Sequence, residues 1–134
     1  MAERGSIGDR ELELVRWLEW AGGASVGEAA EAWGAPRGLA RSTVLTMMER
    51  LRRKRLLRRR ATAEGIFRYS VAVPASELVR RAVAQFVDET LGGSATPFVS
   101  YLAERENLDA RELAELERLL TRLRERRAEE EEER

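Results

Sequence analysis

Residues 41–60 read RSTVLTMMERLRRKRLLRRR, with eight arginines and Lys54 set against the single acid Glu49 in a chain whose formal charge is zero. The apolar residues in this stretch change their spacing partway along. Val44, Met47, Met48 and Leu51 recur at helical intervals and predict a helix from about Ala40 to Arg53 with one buried face. Its other face carries Arg41, Ser42, Leu45, Thr46, Glu49 and Arg50. From LLRRRAT onward the period falls to two. A break at Ala63-Glu64-Gly65, followed by IFRYSVAV (66–73), predicts two strands joined by a short turn.

Two helical patterns precede this segment. Asp9 is placed to cap a helix running to about Ala21, with Leu12, Val15, Trp17 and Leu18 inward and Gly22-Gly23 ending it. The tetrapeptide SVGE, Ser25 to Glu28, is a capping box that opens a shorter helix with Val26, Ala29, Ala30 and Trp33 on one face and Gly34 as its expected stop. Three helices followed by a β-hairpin is the order of a winged helix-turn-helix. The predicted fold class is therefore mainly α with a small β-hairpin: an N-terminal winged helix-turn-helix and a C-terminal helical region.

Pro74 marks the expected domain boundary. Beyond it a helix from Ser76 to about Leu91 carries a broad apolar stripe, and Gly92-Gly93 interrupts the pattern. A short helix covers about Thr96 to Glu104, with Pro97 in its first turn. DARE, Asp109 to Glu112, is a second capping box, and Leu113, Leu116, Leu120 and Leu123 follow at heptad-like spacing. These stripes are too wide for a lone appendage, so the helices are expected to pair with a second copy through Leu78, Val79, Val83, Phe86, Val87, Leu113, Leu116, Leu120 and Leu123. The acidic tail 129–134 is expected to be solvated and disordered. The expected organisation is a DNA-binding domain over 1–73, a dimerisation domain over 74–128 and the tail.

Charge divides along the same line. Residues 1–70 carry 14 basic and 9 acidic side chains, and residues 71–134 carry 10 and 15, which implies two parts with different partners. Between Arg37 and Arg68, 11 basic residues face only Glu49 and Glu64. A face kept soluble by mixed charge would intersperse its acids, so this segment points to double-stranded DNA. In helix-turn-helix docking, Arg41, Ser42, Thr43, Thr46 and Arg50 would enter the major groove, where hydroxyls bond base edges and arginine grips guanine. Arg52, Arg53, Lys54 and Arg55 suit backbone phosphates, and Arg58, Arg60 and Arg68 can track a phosphate strand from the hairpin or enter the minor groove. A two-fold dimer would set two such helices about one DNA turn apart on a near-palindromic operator. Two alternatives use the same features: a helical module that binds another protein, and a nonspecific DNA-coating protein.

The composition also excludes chemistry. With no Cys and no His there is no disulfide, thiol nucleophile, imidazole base or ordinary zinc site, so neither an enzyme nor a cofactor is expected. Glu112, Glu115 and Glu117 read as solvated partners of nearby arginines rather than an acid/base pair. No apolar run nears the roughly 18 residues of a membrane span, and MAERGSIGDRELEL lacks the apolar core of a signal peptide, so no membrane insertion and a cytoplasmic location are expected.

GDRELELVRWLEWAGGASVGEAAEAW (8–33), RGLARSTVLTMMERLRRKRLLRRR (37–60), FRYSVAV (67–73), the Gly92-Gly93-Ser94 break and LDARELAELERLL (108–120) resemble the penicillinase repressor and methicillin-resistance repressor family of bacteria. The resemblance runs from about Ile7 to Leu123. It implies a homodimeric transcriptional repressor whose winged helix binds palindromic operators and whose C-terminal helices form the dimer. In several members a membrane-bound metalloprotease that senses β-lactam triggers cleavage of the dimerisation region. The family's scissile Asn-Phe falls here at Tyr101-Leu102, a departure from that pair. Copper-responsive relatives use a cysteine cluster that this chain lacks, and where relatives often have Lys-Gly after the recognition helix this chain has Lys54-Arg55. Proteolysis, a small ligand in the dimer core and constitutive repression all remain open as modes of control.

Overall fold

The computed structural model describes residues 7–134. The first six residues of the stretch read for a signal peptide lie outside the described residues. Helix α1, Asp9–Ala21, starts one residue earlier than expected in its cap: Gly8 is the N-cap, and its N–H donates to Glu11 Oε1 at 3.1 Å. The inward face holds Leu14, Val15 and Leu18, with Leu12 and Trp17 half-buried at its margins.

Strand β1, Ala24–Ser25, leads into α2, Val26–Ala29, through the SVGE box. Both halves of that box form: the Glu28 N–H donates to Ser25 Oγ at 3.2 Å and the Ser25 N–H to Glu28 Oε1 at 3.0 Å. The helix does not stop at Gly34. It continues as a π turn, Ala30–Gly34, and a 3-10 turn, Ala35–Arg37. Gly34 has ordinary helical angles, and it is small for a different reason: a Cβ there would lie 2.7 Å from Val44 Cγ2. The stop is Gly38, whose φ of 71° is the left-handed conformation that releases the chain toward the next helix.

Helix α3, Arg41–Arg53, buries Val44, Met48 and Leu51 against α1 and α2, with Met47 half-buried. Its C-terminus closes as a Schellman turn: Leu56 N–H to Leu51 O at 2.9 Å, Arg55 N–H to Arg52 O at 2.9 Å, and Arg55 at φ 66°. Leu56 and Leu51 are both buried, as the apolar contact of that motif requires.

Strands β2, Leu57–Ala61, and β3, Phe67–Val71, form the expected hairpin, closed by Thr62 N–H to Ile66 O at 2.7 Å. The two-residue β1 adds an edge that periodicity could not reveal, giving an antiparallel sheet in the order β1-β3-β2. Arg58 lies opposite Ser70, Arg59 opposite Tyr69 and Arg60 opposite Arg68, so Arg58, Arg60 and Arg68 share one face and Arg59 shares the other with the buried Tyr69.

The compact unit does not end at Pro74. Helix α4, Ala75–Glu89, joins it, because Glu19 on α1 accepts the Ala75 N–H at 3.2 Å and so caps the new helix, while Ala75 and Leu78 enter the core. The first unit runs to Gly93 and the second is Ser94–Arg134.

The second unit holds α5, Thr96–Glu104, and α6, Ala110–Glu133. Asp109 Oδ1 accepts the Glu112 N–H at 2.8 Å, but the Glu112 carboxylate pairs with Arg105 at 3.0 Å instead of closing the box. Helix α6 also continues through the acidic residues expected to be disordered. Those residues are strong helix formers, and Arg127 reaches Glu131 at 3.4 Å one turn on. Among the described residues no helix is long and apolar enough to cross a membrane.

Candidate nucleic-acid interface

Packing sorts the 11 basic residues between Arg37 and Arg68 into two sets. Five are committed to acids within the fold. Arg37 reaches Glu13 at 3.4 Å and also donates to the Trp33 carbonyl at 2.9 Å, with its guanidinium 4.7 Å from the Trp33 ring centroid. Arg52 and Arg59 both reach Glu49, Lys54 reaches Glu11 at 3.7 Å, and Arg68 reaches Glu28 at 2.7 Å and the Gly23 carbonyl at 3.2 Å. The other six, Arg41, Arg50, Arg53, Arg55, Arg58 and Arg60, are exposed and have no acid partner among the described residues.

The uncommitted set is not scattered. Arg41, Arg50 and Arg53 lie on α3, Arg55 sits in the turn that ends it, and Arg58 and Arg60 lie on β2. Ser42, Thr43 and Thr46 are exposed on α3 as the helical spacing predicts. The Thr46 hydroxyl donates to the Ser42 carbonyl at 2.9 Å, which leaves its oxygen to act as an acceptor. Helix α3 begins at Ala40 without a side-chain cap, so its first turn keeps the partial positive charge that favours an anion.

Glu49 was expected on the outward face and is instead enclosed, its side chain only 17% exposed. It accepts two bonds from Arg52, at 2.9 and 3.0 Å, one from Arg59 Nη1 at 3.3 Å and one from the Tyr69 hydroxyl at 2.6 Å. Arg52, then Tyr69, hold its carboxyl down at about 2, while burial and the Glu49 contact raise Tyr69 above its ordinary value. The Arg59 guanidinium also stands 4.1 Å from the Phe67 ring centroid. One carboxylate thus joins α3 to both strands of the hairpin. Helical spacing alone missed it, although its being the sole acid in the run was a usable signal.

Arg52, Lys54 and Arg68, all expected toward phosphate, have their charge already engaged by Glu49, Glu11 and Glu28. Ser25, through its backbone N–H and then its hydroxyl, and Arg68 lower the Glu28 carboxyl. Of the residues expected to pair two copies, Leu78 is spent inside the first unit at 3% exposure. Val83 and Phe86 on α4 are 46% and 48% exposed, with Val79 and Val87 half-buried. On α6, Leu113, Leu120 and Leu123 are 46–47% exposed and Leu116 is half-buried. Tyr101 is exposed and Leu102 half-buried within α5. No group of three or more Asp or Glu side chains among the described residues is arranged to hold a metal ion.

No curated protein matches the chain. Among solved structures, the YusO protein from Bacillus subtilis is similar at a TM-score of 0.49 and 21% identity, over 92% of this chain and 79% of that one. A family model described as penicillinase repressor matches residues 7–122. The chain, a winged-helix protein whose uncommitted arginines between Arg37 and Arg68 lie on α3, its terminal turn and β2, belongs to the penicillinase repressor family of DNA-binding transcriptional regulators, which are not enzymes.

Proposed function

We propose that the protein is a homodimeric repressor that binds a near-palindromic operator in the cytoplasm, each subunit placing α3 in the major groove of one half-site. The observation that carries this reading is the sorting of the basic residues between Arg37 and Arg68: the six that the fold does not neutralise all lie on α3, its terminal turn and β2. Arg41, Ser42, Thr43, Thr46 and Arg50 face base edges and nearby phosphates, while Arg53, Arg58 and Arg60 follow the backbone. Lys54 and Arg68 support this surface from its margins, positioned by Glu11 and Glu28.

The exposed leucines of α6 and the half-exposed face of α4 supply the contact between copies, which fixes the half-site spacing at about one helical turn. Repression ends when a membrane-bound sensor protease cuts at Tyr101-Leu102. Tyr101 is 59% exposed, and because the pair lies inside α5 the cut requires that helix to open first.

Selection of duplexes from a random pool by the purified protein, with a salt titration of the winner, tests the central claim. An inverted repeat should emerge. With about eight phosphate contacts per dimer, its affinity should fall by about 10³ to 10⁵ between 50 and 200 mM salt. Binding of equal strength to every sequence would refute it.

A further inference from the structure

Leu45 lies on α3 one turn after Arg41, and 43% of its surface is exposed. The inner face of the helix is already filled by fully buried residues, so Leu45 adds nothing to the core. Across from it the hairpin presents Ile66 at 54% and Phe67 at 47% exposure. With Val26 and Arg41 these side chains line a groove of about 390 Å³ that reaches the buried Tyr69. Phe67 is held in place there by Arg59, which Glu49 anchors in turn.

An apolar strip beside uncommitted arginines needs an occupant that is anionic overall and offers one apolar group. Phosphates and sugars give leucine nothing specific to touch. The major groove offers one apolar group, the C5 methyl of thymine. Within about a turn and a half, α3 presents the cation Arg41, the apolar Leu45 and the acceptor oxygen of Thr46, which match a phosphate, a thymine methyl and an exocyclic amine.

We propose that Leu45 is a specificity-determining residue that packs on a thymine methyl in each operator half-site, with Ile66 and Phe67 screening that contact from water. The proposal rests on the DNA-binding reading above and goes further by naming the base.

Deoxyuridine removes the methyl without altering base pairing, so each thymine of the selected operator is replaced by it in turn. One position per half-site should lose affinity by about fourfold, the worth of one buried methyl-sized group. Leu45→Ala, whose fold is checked by circular dichroism, should bind the thymine duplex as weakly as the unaltered protein binds the substituted one, and should be indifferent to deoxyuridine there. Indifference of the unaltered protein at every thymine, or full sensitivity retained in Leu45→Ala, overturns the proposal while leaving the repressor reading intact. Failure of any duplex to be enriched overturns both.

Discussion

The Tyr69 hydroxyl donates a 2.6 Å hydrogen bond to Glu49, tying α3 to the central strand of the sheet. Arg52 and Arg59 complete the shell around the same carboxylate, so a single side chain links α3 to both strands of the hairpin beside their shared apolar core. Removing the hydroxyl in Tyr69→Phe leaves a largely enclosed carboxylate one donor short and should cost about 1–3 kcal/mol of stability. Urea unfolding monitored by far-ultraviolet circular dichroism reads this directly.

The same carboxylate sets an acid limb. Glu49 titrates at about 2 in the folded chain against an ordinary value of 4.5, so its contribution is fully present above pH 4.5 and is lost as pH falls toward 2. Glu28 and Glu77 are lowered as well, so the whole limb belongs to several groups. The difference between the unaltered protein and Glu49→Gln isolates one of them. Stability against pH should fall less steeply between 4.5 and 2 in the variant, and parallel curves would show that Glu49 is not coupled to folding.

Arg55 is the described non-glycine residue with positive φ, at 66°, and it occupies the position where a Schellman turn favours glycine. Arg55→Gly should therefore stabilise the chain by about 0.5–1 kcal/mol, the left-handed penalty less the extra entropy that glycine loses on folding. Operator affinity should move the other way, because an uncommitted cation is lost. Unfolding and binding isotherms on the same variant separate the two effects.

The sorting of the arginines gives a test by contrast. Arg50→Ala should weaken operator binding by about 1–3 kcal/mol and relax preference at one base pair, as expected for a base contact. Arg58→Ala and Arg60→Ala should weaken all sequences alike and each reduce the salt slope by about one. Arg52→Ala and Arg68→Ala remove charges already neutralised by Glu49 and Glu28, so they should disturb folding more than the salt slope. Equal slopes lost at all five positions would mean that the internal ion pairs open on DNA.

Much of this was legible in the sequence because it is local. The periodicity of Val44, Met48 and Leu51, the SVGE box and the hairpin break each depend on residues within a turn or two of one another. What spacing could not give depends on partners far along the chain. Glu49 looks outward on a helical wheel until Tyr69 and Arg59 arrive from the hairpin. Pro74 reads as a boundary until Glu19, 56 positions before Ala75, caps the helix that follows. Gly34 reads as a stop signal, although its smallness serves Val44. Among the expected phosphate contacts, Arg52, Lys54 and Arg68 were indistinguishable from Arg53 and Arg58 by spacing, and only their acid partners Glu49, Glu11 and Glu28 set them apart.

Gly34 makes the sharpest packing prediction. A methyl group placed there would stand 2.7 Å from Val44 Cγ2, and valine on a helix has one strongly preferred rotamer, so it cannot turn aside. Gly34→Ala would ordinarily gain helix propensity, but here the overlap should dominate and cost about 1–3 kcal/mol. Pairing it with Val44→Ala should recover most of the overlap while adding the usual loss of buried side chain. Strict additivity of the two changes in urea unfolding would deny the contact.

Leu120 on α6 tests the dimer without disturbing the winged helix. It is 47% exposed within its own chain, so Leu120→Glu should leave the first unit's stability within about 0.5 kcal/mol of the unaltered protein. If α6 pairs with a second copy, the same change buries a carboxylate in an apolar seam, and sedimentation at micromolar concentration should show a monomer. Operator binding should then lose the cooperative gain of two linked half-sites, while affinity for an isolated half-site stays the same. A variant that remains dimeric and retains full operator affinity would place the contact between copies on another face.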